Sequence, residues 1–136
     1  MKLDGNYAVW GDLGFRGPCA SETLEQVTFF NRIRAQHPKT YGLIATHIRN
    51  EGKRHVAQVN KQRAEGMTKG ASDIIIPGKV TFVCEMKRRD HTKSRWQTGQ
   101  QEYLEAALKA GAFCVVALGA NAAWDAFNHW RKEYGK

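Results

Sequence analysis

Residues 72–87 read SDIIIPGKVTFVCEMK, and this stretch decides the fold that the sequence predicts. Two runs typical of β-strands, residues 74–76 and 80–86, flank residues 77–79, so we expect a hairpin in which Ile76 pairs with Val80. Successive side chains of a strand point to opposite faces of the sheet. One face of the second strand takes Val80, Phe82, Cys84 and Met86, and the other takes Thr81, Val83, Glu85 and Lys87. The hairpin is therefore apolar on one face and carries charge on the other.

Three charged side chains interrupt this apolar segment. Glu85 and Lys87 share a face and lie about 7 Å apart along the strand. With a three-residue loop, Asp73 lies opposite Val83, on that same face and diagonal to Glu85, whereas a two-residue turn would place Asp73 on the other face. The sequence thus predicts that Asp73, Glu85 and Lys87 converge if the loop has three residues.

Helices and strands follow each other on both sides of the hairpin. Ser21 and the acidic residues after it predict the start of a helix whose apolar positions are Leu24, Val27, Phe30 and Ile33. The predicted elements are a helix at 21–36, a strand at 43–48, a helix at 54–65, the two hairpin strands, a helix at 100–110, a strand at 112–118 and a helix at 121–134. This order predicts an α/β fold, a mixed sheet flanked by helices. We expect a single domain over 1–136, with its core at about 21–118, an unassigned N-terminal arm at 1–20 and a C-terminal helix at 121–134.

The charge and the cysteines limit the classes of function. Lysine and arginine number 21 against 13 aspartate and glutamate, a formal charge of +8 that suits a polyanionic partner. Basic residues bracket the hairpin: Arg49, Lys53, Arg54, Lys61, Arg63 and Lys69 precede it, and Lys87, Arg88, Arg89, Lys93 and Arg95 follow it. Three widely spaced cysteines and the lack of an apolar leader predict reduced thiols and a cytoplasmic protein without a membrane partner.

Two carboxylates that converge beside a phosphate would repel it unless a cation lies between them. Oxygen ligands of this kind suit Mg²⁺ or Mn²⁺. The chemistry that Asp73, Glu85 and Lys87 could support is metal-assisted phosphodiester hydrolysis, with the ammonium group orienting water or stabilising phosphate. The alternative is structural, since Glu-x-Lys is common on the polar face of a strand and Asp is a common turn residue.

Motifs along most of the chain resemble a known nuclease family. They are Glu22-x-x-Glu25-Gln26, Arg49-Asn-Glu-Gly-Lys-Arg54, Ala64-Glu-Gly66, Lys69-Gly-Ala-Ser-Asp73, Glu85-Met-Lys87, and Gln100 with Ala110-Gly111 at the two ends of one helix. Together they resemble the VRR-NUC (virus-type replication-repair nuclease) domain of the PD-(D/E)XK superfamily, whose restriction-endonuclease-like core has the order αβββαβ. Gly70-Ala-Ser-Asp73 departs from the family's usual Gly-Val-Pro-Asp but keeps the aspartate.

The resemblance implies site residues. It implies that a Mg²⁺ or Mn²⁺ ion is bound by Asp73, Glu85 and the main-chain carbonyl of Met86. A helix glutamate completes such a site, and we expect Glu22, with Glu25 as the rival because the sequence does not fix the phase of the helix. Lys87 and the helix glutamine Gln100 complete the catalytic residues that the resemblance implies. As contacts to DNA phosphates we expect Lys53, Arg54, Lys69, Arg88 and Arg89.

The family also suggests a substrate. Its small members resemble homodimeric resolvases that cut four-way (Holliday) junctions, which implies branched DNA as the partner and a phage or mobile-element origin. A two-fold dimer would supply the second active site, with the segment 7–10 or the face of Trp124, Phe127 and Trp130 as its interface; the alternative for both is a place in the hydrophobic core. The alternatives are a nuclease acting on flaps, ends or duplex DNA, and a basic DNA-binding protein without catalytic activity.

Overall fold

The computed structural model describes residues 1–48 and 56–135. Its elements are β1 (Ala8–Trp10), α1 (Glu22–Gln36), α2 (Tyr41–Ile44), β2 (Thr46–His47), α3 (Val56–Ala64), β3 (Ile74–Ile76), β4 (Phe82–Lys87), a 3₁₀ turn (His91–Lys93), α4 (Gln100–Lys109), β5 (Phe113–Leu118) and α5 (Ala120–Tyr134). The predicted α/β class, a mixed sheet flanked by helices, is confirmed. None of the described helices is long and apolar enough to cross a membrane.

The sheet has five strands within the described residues, in the order β1, β5, β4, β3, β2. Strand β5 runs parallel to both of its neighbours, whereas β3 is antiparallel to β4 and to β2. One face packs against α1 and α5, and its core includes Phe82 and Met86 of β4. The other face packs against α4, with Val83 and Leu104 in its core. Strand β4 is thus central and buried on both faces.

The pairing between β3 and β4 corrects the predicted register. Ile76 pairs with Phe82 rather than with Val80, so residues 77–81 form a five-residue connection. Two carbonyl groups explain the shift: the indole of Trp130 donates to Val80 O at 2.8 Å, and Phe113 N donates to Thr81 O at 2.8 Å. Since the shift is two residues, every side chain keeps its predicted face.

Three other predictions need correction. Strand β1 was not predicted; it is short and pairs only with β5, far away in the chain. The predicted strand at 43–48 is a helical turn, α2, followed by the two residues of β2. The turn forms because Gly42 N donates to His37 O, directly after α1 ends. In α1 itself, Phe29 is buried with Phe30 and Ile33, while Leu24 and Val27 are exposed.

Helix α5 contributes aromatic side chains to the core. The exposed fractions of Trp124, Phe127 and Trp130 are 5%, 0% and 1%. Phe127 packs against Phe29 of α1 and Phe82 of β4. The prediction that these three side chains form a dimer interface is therefore wrong, because they are already buried within one chain.

Candidate active site

Adjacent strands position the two carboxylates of the hairpin. Continuing the β3–β4 register by one residue puts Asp73 directly opposite Glu85. Asp73 Oδ2 also accepts a hydrogen bond from Met86 N at 2.8 Å, which fixes the aspartate against β4. Glu85 lies on the face that also carries Val83 and Lys87. The structure thus brings Asp73 and Glu85 directly opposite each other, a shift of two residues from the predicted register, in which Asp73 lay opposite Val83.

Glu85 is a fully buried carboxylate, with an exposed fraction of 0%. Neither of its oxygens has a hydrogen-bond partner among the described residues. Burial, and then the adjacent carboxyl group of Asp73, raise the pKa of Glu85 well above its usual value; Lys87 acts in the opposite direction and Glu22 adds to the rise. Burying a carboxyl group without a hydrogen-bond partner is costly, and the charge of Lys87 only partly offsets that cost, because the pKa of Glu85 stays raised.

Lys87 is also buried, with an exposed fraction of 1%. Its ammonium group donates to Arg95 O at 2.9 Å and to Gln100 Oε1 at 3.0 Å, and it lies 5.4 Å from the centre of the Trp96 ring. Gln100 Oε1 accepts a second hydrogen bond, from Gln97 N at 2.8 Å. Gln100 and the loop before α4 therefore hold Lys87 in place, and two of the three ammonium hydrogens are used.

The first turn of α1 presents two glutamates with different partners. Ser21 caps this helix, because its side chain accepts from Leu24 N at 3.1 Å. Glu22 Oε2 accepts from Ser94 Oγ at 2.7 Å, and its charge acts on the pKa of Glu85. Glu25 Oε2 instead accepts from Ala120 N at 2.9 Å, the first residue of α5. Of the two candidates, Glu22 is the one whose charge acts on Glu85, and Glu25 serves to cap α5.

The predicted DNA contacts differ in exposure. Lys69 and Arg89 are exposed, and the guanidinium of Arg89 lies 4.2 Å from the centre of the Phe15 ring. Arg88 is half-buried, and its guanidinium donates to Cys19 O at 2.8 Å and to Ala20 O at 3.1 Å. Arg88 therefore holds the main chain before α1. Lys53 and Arg54 lie outside the described residues.

The donor set bears on whether a metal ion fits here. Within residues 1–48 and 56–135, no group of three or more His, Cys, Asp and Glu side chains is arranged to hold one. Mg²⁺, however, is commonly bound through one or two carboxylates and retains several waters. Asp73 and Glu85 provide two adjacent carboxyl groups, of which Glu85 is buried and has no hydrogen-bond partner among the described residues. These residues fit such an ion.

Sequence reasoning missed the contribution of the loop between β4 and α4. Ser94 contacts Glu22, and Asp90 accepts from Gly17 N at 3.0 Å, which ties this loop to the N-terminal arm. Hydrogen bonds from Thr92 and from Gly17 lower the pKa of Asp90 to about 2. No local pattern marks Ser94, because its partner lies 72 residues away in the chain. Such contacts follow only from the tertiary fold.

Comparison with known proteins supports the fold. No family model matches the sequence, and no curated protein matches it. Among solved structures, a protein described as a VRR_NUC domain protein is similar with a TM-score of 0.69 and 21% sequence identity, covering 87% of this chain and 92% of that chain. The chain therefore has a VRR-NUC-like fold, as its motifs suggested.

Proposed function

We propose that this protein is a metal-dependent DNA endonuclease that hydrolyses phosphodiester bonds. The observation that carries the proposal is the pairing of Asp73 with the buried Glu85, whose oxygens have no hydrogen-bond partner among the described residues, on the sheet face that also carries the fixed ammonium group of Lys87. The VRR-NUC-like fold supports a nuclease with a nucleic-acid substrate. A buried carboxyl group with a raised pKa, as at Glu85, is typical of functional sites.

Asp73, Glu85 and the main-chain carbonyl of Met86 would hold the metal ion. Glu22 from α1 would complete the site through the waters of the ion, because the described acidic side chains form no group of three arranged to bind it directly. A bound Mg²⁺ or Mn²⁺ ion lowers the pKa of a bound water and neutralises phosphate charge. Apart from metal binding, the chain supplies the ammonium group of Lys87, whose remaining hydrogen is available to a phosphate oxygen or to the attacking water. Gln100 keeps that group in position, since its Oε1 accepts from Lys87 Nζ at 3.0 Å.

The finer proposal concerns the DNA. We propose a homodimer that is selective for branched DNA and resolves four-way junctions, because symmetric cutting of two strands requires two sites. The segment 7–10 is the remaining candidate interface, since its strand β1 pairs on one side only, with β5. The three cysteines are free, which is compatible with the cytoplasm of a bacterial or virus-infected cell.

The test is a Mg²⁺-dependent cleavage assay on labelled four-way junction, flap and linear duplex. We expect paired symmetric cuts in the junction, absent with Glu85→Gln and retained with Glu133→Gln, a matched change at an exposed position of α5. Cleavage of flap or duplex instead would keep the nuclease and change its substrate. A chain that binds DNA but does not cut with Mg²⁺ or Mn²⁺ would be the non-catalytic binding protein.

A further inference from the structure

The hydroxyl group of Ser94 connects the loop after β4 to the first turn of α1. Arg88 N donates to Ser94 Oγ at 3.0 Å, and Ser94 Oγ donates to Glu22 Oε2 at 2.7 Å. A main-chain N–H can only donate, and a serine hydroxyl carries one hydrogen. That hydrogen is therefore committed to Glu22. Ser94 is buried, with an exposed fraction of 8%, so water does not readily replace it.

Arg88 also connects the loop after β4 to the segment before α1. Its main chain donates to Ser94, and its guanidinium donates to Cys19 O and Ala20 O, the two carbonyls directly before the helix cap Ser21. Guanidinium hydrogen bonds are held in a fixed fork geometry. The side chain of Arg88 thus bonds directly to the segment before α1, and its main chain is linked to Glu22 of α1 through the Ser94 hydroxyl.

We propose that Ser94 is a positioning residue that holds the Glu22 carboxylate toward the pair of Asp73 and Glu85, with Arg88 fixing the helix that carries Glu22. This inference rests on the proposed function. A glutamate side chain has several rotatable bonds, and at the end of a helix it would otherwise turn into solvent. The Ser94 hydroxyl fixes which oxygen is engaged and leaves Glu22 Oε1 available to the metal or its waters. Partners of this kind, which orient metal ligands, typically change metal affinity by about 10-fold to 100-fold.

The experiment is a calorimetric Mn²⁺ titration of the DNA-free protein, with Mg²⁺-dependent cleavage as a second measurement. The variants are Ser94→Ala, Ser94→Thr, Glu22→Gln and the Ser94→Ala/Glu22→Gln double variant. Thr28→Ala is the control, because it removes a hydroxyl that bonds only Leu24 O of its own helix. We expect Ser94→Ala to weaken Mn²⁺ affinity about 10-fold. Ser94→Thr should keep most of the affinity, and the double variant should be no weaker than Glu22→Gln alone, because Ser94 acts through Glu22.

The outcomes separate this inference from the function on which it rests. Unchanged Mn²⁺ affinity in Ser94→Ala, or losses that add fully in the double variant, would overturn the positioning role while the wild-type chain still bound Mn²⁺ and cut DNA. A wild-type chain that neither bound Mn²⁺ nor cut DNA would overturn both proposals. If Ser94→Ala unfolds, Ser94→Thr and Glu22→Gln still decide: affinity that falls as far in Ser94→Thr as in Glu22→Gln contradicts a hydroxyl-specific role.

Discussion

At the scale of single residues, Glu85 lowers the stability of the folded protein when no metal ion is bound. Its buried carboxyl oxygens have no hydrogen-bond partner in the part of the chain that the structure describes, and the neighbouring Asp73 adds a like charge. Retaining such a group inside a sheet is unfavourable unless something compensates it. A cation between the two carboxylates would do so. If the proposed site is correct, the destabilising effect of this pair can be measured in the thermal stability of the protein without metal.

Glu85→Gln should stabilise the metal-free chain at neutral pH. The pKa of Glu85 in the folded protein lies above the usual 4.5, so below pH 4.5 the group is neutral in both the folded and the unfolded chain. As pH rises above that value, the unfolded chain releases its proton first, and wild-type stability falls through the folded pKa. In EDTA we expect Tm of the variant to exceed that of the wild type by about 3 °C at pH 8, and the difference to vanish near pH 4. A wild type more stable than the variant at pH 8 would contradict the burial argument.

Lys87→Met should separate catalysis from binding. The methionine fills similar space but removes the donors to Arg95 O and Gln100 Oε1. If the ammonium group stabilises the reacting phosphate, kcat should fall by about 10²-fold or more with little change in KM for DNA. Mn²⁺ affinity, measured by calorimetry, should persist. Lys79→Met, at an exposed position between β3 and β4, is the control; lost Mn²⁺ affinity in Lys87→Met would make Lys87 structural instead.

At the scale of elements, two glycines set the distance between the segment carrying Asp73 and the helix carrying Gln100. Gly70 precedes β3 and has φ of +82°, and Gly99 directly precedes α4. A Cβ atom on Gly70 would lie 2.1 Å from Gly99 C. The two segments therefore touch main chain to main chain, which no other residue at position 70 allows without moving one of them.

Gly70→Ala should be destabilising and should weaken cleavage. We expect a loss in free energy of unfolding of about 2 kcal/mol or more, since the added methyl group meets main-chain atoms and φ is positive. Gly66→Ala is the matched control, because Gly66 also has positive φ, +105°, but a Cβ there meets nothing within 4 Å. Denaturant unfolding of both variants measures how much of the loss in free energy of unfolding comes from the contact with Gly99. Equal losses would mean that backbone strain, and not the approach to Gly99, is responsible.

Sequence patterns predicted the elements that local information determines. Helix α1, strands β3 and β4, and helices α4 and α5 lie within two residues of their predicted ends. Strand β1 was missed because its pairing with β5 leaves no local signal. The sheet face of Asp73 was predicted correctly although the loop length was wrong. The predicted loop has three residues and the observed one has five, and a difference of two residues leaves every side chain on the same face. The partners of Glu22 and Glu25 could not be predicted, since Ser94 and Ala120 lie on distant segments.

At the scale of the whole molecule, the basic groups behind the charge of +8 fall into two classes, those exposed to solvent and those bonded to the protein's own main chain. Exposed basic groups can release counterions from DNA, whereas groups bound to the protein's own carbonyls are already engaged. Lys69 and Arg89 belong to the first class by exposure. Arg88 belongs to the second, because its guanidinium bonds Cys19 O and Ala20 O. Net charge alone therefore overestimates the number of phosphate contacts.

The salt dependence of DNA binding should reveal this division. On duplex DNA in EDTA, Lys69→Ala and Arg89→Ala should each reduce the slope of log K against log salt concentration by about 0.9, the value for one lost phosphate contact. Arg88→Ala should leave that slope unchanged while lowering Tm, because it releases the main chain before α1. Fluorescence anisotropy over a range of salt concentrations, with thermal unfolding of the same samples, measures both quantities. A slope reduced in Arg88→Ala as much as in Lys69→Ala would show that Arg88 exchanges its carbonyl partners for phosphate on binding, and that the N-terminal arm yields to DNA.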